Sequence, residues 1–246
     1  MSKICKQPLK QFYKNDFSTY EIGVDEAGRG PMFGRLYVSA VILPKYNESR
    51  PIIDFSCIKD SKKFTSKKKI REVAEFIKKN AIAWTVQYVE NDIIDRINIR
   101  EAVLDTMNKS IDAIIKTVPN PNNYLLLIDG NDFRPYMICN EETMELTEIP
   151  HVTIEQGDAY YMSIAAASIL AKVSRDDYIL ELCEKYPILV ERYGLNNNMG
   201  YGTKNHMDGI IQYGICQWHR RSYGICKNYQ PYTIGNSSAE LDRKNI

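Results

Sequence analysis

Asp25 and Glu26 stand side by side at the end of a short apolar run, Tyr20 to Val24, and Gly28, Arg29, Gly30 and Pro31 follow at once. Carboxylates delivered to the end of a buried strand are costly unless a cation lies between them. A hard divalent ion, Mg²⁺ or Mn²⁺, is the usual remedy because it prefers carboxylate oxygen. Gly28 and Gly30 let the backbone bend and bring N–H groups close to an anion with no Cβ in the way. Arg29 between them adds a forked cation suited to phosphate. Metal-binding acids beside a phosphate-binding turn describe a metal-dependent phosphodiester site. An Asp-Glu pair alone reads more simply as a solvated hairpin tip, and the attached Gly-Arg-Gly-Pro tips the balance to the site. No dinucleotide fingerprint is present, because Phe33 occupies the last glycine position and no helix follows.

Two further carboxylates occupy comparable places. Tyr124 to Ile128 is a wholly apolar run ending in Asp129-Gly130, and open α/β sheets keep their sites at such C-terminal strand ends. Asp-Gly is also an ordinary turn. Asp158 follows Gln156-Gly157 and opens a helical pattern from Ala159 to about Lys185. A carboxylate there is favoured as a cap, so cap and metal ligand both remain open. Ser168 and Lys172, four apart, share a helix face and can reach a phosphate. Ser61 and Lys62 lie just ahead of a helix expected from the cap Ser66 to Lys79, another phosphate-contact position. The lysines at 59, 62, 63, 67, 68 and 69 by themselves read as a solvated face. Trp218-His219-Arg220-Arg221-Ser222-Tyr223 forms a second basic patch.

Strands are expected at 20–25, 36–43, 81–89, 124–128 and 152–155. A single long helix, capped by Asn91-Asp92, is expected to carry Ile93, Ile97, Val103, Leu104, Met107, Ile111, Ile114 and Ile115 on one face. A loop is expected at 47–51, a turn at 119–123, irregular chain over 131–150, and a helix at 205–213. The order indicates α/β with a mixed central sheet. Adjacent strand residues point to opposite faces, so Asp25 and Glu26 converge only if the chain is already turning at Glu26. No composition shift marks a second domain, which leaves a flexible lead (1–19), one domain (20–227) and a loose tail (228–246).

The 246 residues, 44% apolar and 26% charged with a net charge of +1, are ordinary for a soluble globular chain. No apolar run reaches membrane-spanning length, and the N-terminus lacks a secretory h-region. Six cysteines without a Cys-x-x-Cys pair read as free thiols of a reducing, cytoplasmic compartment. Three scattered histidines disfavour a zinc hydrolase. A monomer without membrane contact is expected.

Asp25-Glu26-Ala27-Gly28-Arg29-Gly30-Pro31 resembles the signature of type 2 ribonucleases H, the ribonuclease HII family, and further likeness falls at 60–65, 125–130, 157–176 and 200–222. The resemblance implies a ribonuclease H-like fold, its mixed central sheet flanked by helices, with a helical C-terminal part. It implies an endonuclease cutting the RNA strand of RNA–DNA hybrids and single ribonucleotides embedded in duplex DNA, leaving 3′-hydroxyl and 5′-phosphate ends. Asp25, Glu26, Asp129 and Asp158 take the places of the metal-binding acids, with Asp25 bridging. Four such carboxylates can gather two Mg²⁺ or Mn²⁺ ions about 3.5–4 Å apart. Gly28, Arg29 and Gly30 would meet the 2′-hydroxyl, and Tyr201, in Gly-Tyr-Gly-Thr-Lys-x-His, the sugar after the ribonucleotide. Ser61, Lys62, Ser168, Lys172, Arg220 and Arg221 would be phosphate contacts. Arg35 stands where proline is usual and Gln156 where lysine is common. The 200–222 stretch follows the bacterial pattern. Residues 6–13, with Lys6, Leu9, Phe12 and Tyr13, resemble a degenerate sliding-clamp-binding box. Two alternatives remain: ribonuclease HIII, disfavoured by Asp158 and the short lead, and a catalytically silent hybrid-binding or clamp-associated protein.

Overall fold

Leu36–Ile42 (β2) has no alternation of polar and apolar residues, as befits a strand covered on both faces, and it is buried from end to end. It pairs antiparallel with Tyr20–Ala27 (β1), in register from Ile22↔Ile42 to Ala27↔Tyr37. The computed structural model describes residues 8–45, 53–118, 123–139 and 143–235. These fall into two compact units, between which the chain passes several times. The first comprises residues up to 27, 37–88 and 103–174; the second, 28–36, 89–102 and from 175 on.

The first unit is built on a mixed five-stranded sheet. After β2 come Lys67–Asn80 (α1) and Ala83–Val89 (β3); the chain then passes through Asn91–Ile97 (α2), which belongs to the second unit, to Ile99–Thr117 (α3) and Tyr124–Asp129 (β4). A short hairpin, Met137–Cys139 (β5) with Leu146–Glu148 (β6), precedes His151–Ile154 (β7). The sheet order is β3-β2-β1-β4-β7, with β1, β4 and β7 mutually parallel. Parallel neighbours bring their C-terminal ends to the same edge, and that edge carries Asp25 and Asp129. Met162–Lys185 (α4) begins with a run of small residues, Ala165, Ala166 and Ala167, all fully buried. Their size lets the helix lie close to the sheet. At Gly23 the approach is backbone to backbone: a Cβ there would fall 2.2 Å from the Ser163 carbonyl carbon. α1 adds Ile70, Val73, Ala74 and Ile77 to the core that receives α4, and its Ser66 cap accepts the Lys69 N–H.

The second unit is helical. It holds Ile188–Tyr193 (α5), Leu195–Asn198 (α6) and Lys204–Tyr213 (α7), with the parallel pair Ile215–Cys216 (β8) and Pro231–Tyr232 (β9). α5 and α7 touch at Gly209, where a Cβ would meet the Arg192 carbonyl oxygen at 2.0 Å.

Several expectations change. β1 continues through Ala27, so the chain does not turn at Glu26; the Glu26 charge nevertheless reaches Asp25, and the turn is not a condition for the two acids to interact. The last strand of the sheet ends at Ile154, leaving out Glu155. The long helix is two, broken at Asn98, whose φ of 67° no α-helix accommodates. Asn91 is no cap; it lies inside α2 and donates its amide to the Gln217 and His219 carbonyls. The stretch after Gln156 is first a 3₁₀ turn, Gly157–Ala159, and the long helix starts only at Met162. Part of the irregular 131–150 region is the β5–β6 hairpin.

Residues 8–19 of the expected lead are bonded to the first unit. Lys10 pairs with the backbone around Tyr161, and Leu9 packs on the core. Glu21, buried with Lys45 at 2.8 Å, accepts the Tyr13 and Lys14 N–H groups. Lys6, the expected 47–51 loop, most of the 119–123 turn and the last part of the tail lie outside the described residues. Among the described residues no helix is long and apolar enough to cross a membrane.

Candidate active-site elements

In the first unit, Asp25 reaches the end of the sheet on β1, opposite Ser39 of β2, with only 5% of its surface exposed. Burial pushes its carboxyl well above the usual carboxylate range, and the charges of Glu26, Asp129 and Asp158 push it further. A hydrogen bond from the Ser168 hydroxyl offsets part of that, and the Glu26 N–H donates to Asp25 Oδ1 at 2.7 Å. Asp129 closes β4 and is half-buried. Its carboxyl is also raised, by burial and then by the Asp158 charge, while the Asp158 and Gly157 N–H groups and the Lys62 charge hold it back. Gly157 makes that contact possible: a Cβ would stand 3.3 Å from Asp129 Oδ1 and 2.6 Å from Ile164 Cδ1. Asp158 is buried in the 3₁₀ turn ahead of the long helix, so it does not cap that helix.

Lys62 places its ammonium 3.0 Å from Asp158 Oδ2. Partial burial works against its charge, but the hydrogen bond and charge of Asp158, joined by Asp25 and Asp60, leave the ammonium above its ordinary value. Ser61 and Ser168, expected at phosphate, are both buried, their hydroxyls 3.1 Å apart. Of the two, Ser168 bonds the Asp25 carboxyl. Lys172 lies half-buried one turn beyond Ser168 on α4.

The four carboxylates suit a hard divalent ion as donors, and their mutual repulsion is what such an ion relieves. Among the described residues, however, no three His, Cys, Asp or Glu side chains are already drawn together as a ligand set. The acids are assembled near one another, with Asp158 held by an ammonium.

The second unit holds the glycine turn. Gly28 has φ of 98° and lies against Arg175, whose Nε would be 2.4 Å from a Cβ. Arg175 is itself buried, donating to the Phe33 and Met199 carbonyls, and its guanidinium lies 5.7 Å from the Tyr201 ring centre. Arg220 is 0% exposed, and it donates to the Gly34 and Arg29 carbonyls at 2.9 and 3.2 Å. Burial pulls its guanidinium down to about 10, the Arg175 charge contributing. It is a buttress of the turn, which corrects its reading as a surface phosphate contact. Tyr223 also donates to the Arg29 carbonyl. Arg221 is more than half exposed, 3.6 Å from Asp95. The Arg29 side chain, Gly30 and Tyr201 are exposed, and a Cβ on Gly30 would come to 3.7 Å from Tyr201 Cε1. Arg35, where the resemblance leads one to expect proline, is bound to Glu90 at 2.6 Å and stacks on Tyr178 at 4.4 Å. The other departure, Gln156, is exposed with a left-handed φ of 55°.

Residues 22–226 match the family model described as Ribonuclease HII. The chain belongs to the ribonuclease HII family. Ribonuclease HII of Oceanobacillus iheyensis is 40% identical over 229 residues, 92% of this chain and 76% of the relative. The fold is shared with ribonuclease H2 of Pyrococcus horikoshii (TM-score 0.62, 21% identity, 85% of this chain and 96% of that one). It is also shared with ribonuclease HII of Archaeoglobus fulgidus, solved as a complex with PCNA (TM-score 0.57, 24% identity, 83% and 95%). The family's activity is that of a ribonuclease H on RNA–DNA hybrids, and the sheet with its flanking helices is the family fold.

Sequence reasoning did not single out Arg175 or Asp95, read Asn91 as a cap, and did not pair His206 with His219; the partners of Arg175, Asn91 and Asp95 lie 24 to 142 residues away, and nothing in local spacing announces them.

Proposed function

We propose that this ribonuclease H is a divalent-metal-dependent endonuclease that cuts the RNA strand of hybrids and also 5′ of single ribonucleotides in duplex DNA. The observation that carries the reading is the burial of Asp25, 5% exposed, within reach of the charges of Glu26, Asp129 and Asp158. Such a cluster is unfavourable without a cation. Asp25, Glu26, Asp129 and Asp158 would hold Mg²⁺ or Mn²⁺, as two ions. Bound there, such ions supply an activated water and stabilise the charge on a leaving 3′-oxygen.

The chain's own residues do the rest. The Ser168 hydroxyl orients Asp25, and the Asp158 N–H orients Asp129 from 3.4 Å. Lys62, most of whose side chain is in solvent, is long enough to leave Asp158 for a phosphate. In the second unit Arg220 and Tyr223 occupy the Arg29 carbonyl, so the turn 28–30 is held through its carbonyl side. Its N–H groups are then assigned to the 2′-hydroxyl and phosphate of the ribonucleotide. The half-exposed Tyr201 ring is assigned to the following sugar. A sliding clamp is proposed as a partner for 6–13, where Tyr13 is the exposed aromatic residue; a clamp pull-down lost in Tyr13→Ala would support it.

The test is cleavage of a duplex containing one ribonucleotide, with Mg²⁺, with Mn²⁺ and with chelator. Metal-dependent nicking that leaves 3′-hydroxyl and 5′-phosphate ends is expected. Tight binding without nicking in either metal would leave the silent hybrid-binding alternative.

A further inference from the structure

Two histidines outside the acidic cluster are fully buried in the second unit. His206 lies in the first turns of α7 and His219 in the segment after β8, with their Nε2 atoms 3.2 Å apart. The neighbours decide where the protons are. The Cys216 N–H can only donate, and it points at His219 Nδ1 from 3.0 Å. His219 Nδ1 is therefore bare, and its neutral ring carries the proton on Nε2. That proton is donated to His206 Nε2, which must be bare in turn. The His206 proton is then on Nδ1, 2.9 Å from the Tyr201 carbonyl oxygen, which can only accept.

Both rings are neutral, and the surroundings keep them so. Burial pulls His219 down to about 3, with His206 adding to the shift, and burial also lowers His206. Tyr193 meets both rings edge-on, at 4.8 Å for His219 and 5.9 Å for His206, and Phe33 meets His219 at 5.0 Å. The Cys216 thiol, pushed up to about 12 by burial, lies 3.3 Å from the bare His219 Nδ1 and can only donate to it. Arg192 is the charged side chain whose field reaches Cys216 and Tyr193.

We infer that His206 and His219 are positioning residues for Tyr201, a relay of defined tautomers from the Cys216 amide to the Tyr201 carbonyl that sets where the Tyr201 ring stands. The same carbonyl accepts the Thr203 N–H at 2.8 Å, and the Tyr201 N–H donates to Asn198 at 3.0 Å. Tyr201 is thereby gripped on its backbone while its ring stays exposed, as a fixed platform for a sugar requires. The substrate-choice role of the relay rests on the reading of Tyr201 given under Proposed function.

The test compares kcat/KM on a single embedded ribonucleotide with kcat/KM on a continuous RNA–DNA hybrid. His206→Asn places an amide N–H where Nδ1–H stands and keeps the bond to Tyr201; His206→Leu keeps bulk and loses it. One hydrogen bond contributes about 0.5–1.5 kcal/mol, so His206→Leu should lower the single-ribonucleotide preference by about 2- to 10-fold. His206→Asn should restore it toward native, and Tyr201→Ala should lower it at least as far as His206→Leu. If Tyr201→Ala shifts the preference while His206→Leu does not, or if His206→Asn is as impaired as His206→Leu, the relay role is overturned. If Tyr201→Ala leaves the preference unchanged, the reading of Tyr201 fails, and the role in substrate choice with it. Imidazole nitrogen NMR of the unaltered protein tests the relay separately: protons on His206 Nδ1 and His219 Nε2 are expected, and either opposite tautomer overturns it.

Discussion

The Lys62 ammonium rests 3.0 Å from Asp158 Oδ2, so an expected phosphate contact is paired with an expected metal ligand. A cation arriving at Asp158 must compete with it. The lysine side chain is 78% exposed, and pairs of this kind contribute about 0–1 kcal/mol. Lys62→Met should therefore bind Mn²⁺ up to about fivefold more tightly in calorimetry without nucleic acid. The same variant should bind hybrids more weakly, with a salt dependence shallower by about one phosphate contact. Lys63→Met, whose lysine pairs with Asp60 instead, is the control. Equal tightening in both variants would reduce the effect to general charge.

Asp25 and Asp129 have carboxyls raised by burial and by their neighbours, so their ionised forms oppose folding at neutral pH. That cost is absent below the ordinary carboxylate range and grows as pH rises to the raised folded value. Asp25→Asn and Asp129→Asn should each abolish cleavage and leave hybrid binding in place. In chelator at pH 7 they should raise Tm, by about 2–4 °C for each kcal/mol relieved. A variant that cuts at near the native rate under limiting Mg²⁺ would show that its residue is not a ligand.

Arg220 and Arg221 adjoin in sequence and should behave oppositely. Arg220 is enclosed and bonded to the Gly34 and Arg29 carbonyls; Tyr223 still serves Arg29 when it is removed, so Arg220→Ala leaves the Gly34 carbonyl unmet, at a cost of about 1–3 kcal/mol. Denaturant midpoints should fall, with the salt slope of hybrid binding little changed. Arg221→Ala should show the reverse. A reduced salt slope in Arg220→Ala with native stability would return Arg220 to the phosphate-binding surface.

His219 is neutral in the folded protein, its ring pulled down to about 3 by burial, whereas an unfolded chain protonates it near the ordinary 6.5. The unfolded state then binds the extra proton first as pH drops. Stability should fall by about 1.4 kcal/mol per pH unit from about 6.5 toward 3 on account of this ring, and change little above 6.5. Urea midpoints of the native protein and His219→Gln across that range isolate the slope. Equal slopes would mean that other groups carry the acid response.

How much of this could be read in the sequence depended on the range of the forces involved. The strands that carry Asp25 and Asp129 and the Ser66 cap of α1 follow from neighbours in the chain, and they emerged as expected, although the first strand runs two residues past Asp25. The break at Asn98 was hidden because apolar residues keep helical spacing on both sides of it. Asp158 was placed at the start of a long helix because glycine and a carboxylate announce a helix start and a 3₁₀ turn alike. The burial of Arg220 had no local mark, since its acceptors lie 186 and 191 residues away. His206 closes the Gly-Tyr-Gly-Thr-Lys-x-His stretch and His219 lies in the second basic patch, 13 residues on, but only the fold turns the two rings into a proton-ordered pair.

At Gly23 the strand that carries Asp25 touches the backbone of α4, the helix that brings Ser168 to that acid. The two elements are a press fit, with tolerance narrower than a methyl group. A side chain at 23 could be admitted only by lifting the helix, and the lift would be felt four and five residues on from the contact, where the hydroxyl meets the carboxylate. The aim of that hydroxyl is thus calibrated by a residue with no side chain at all.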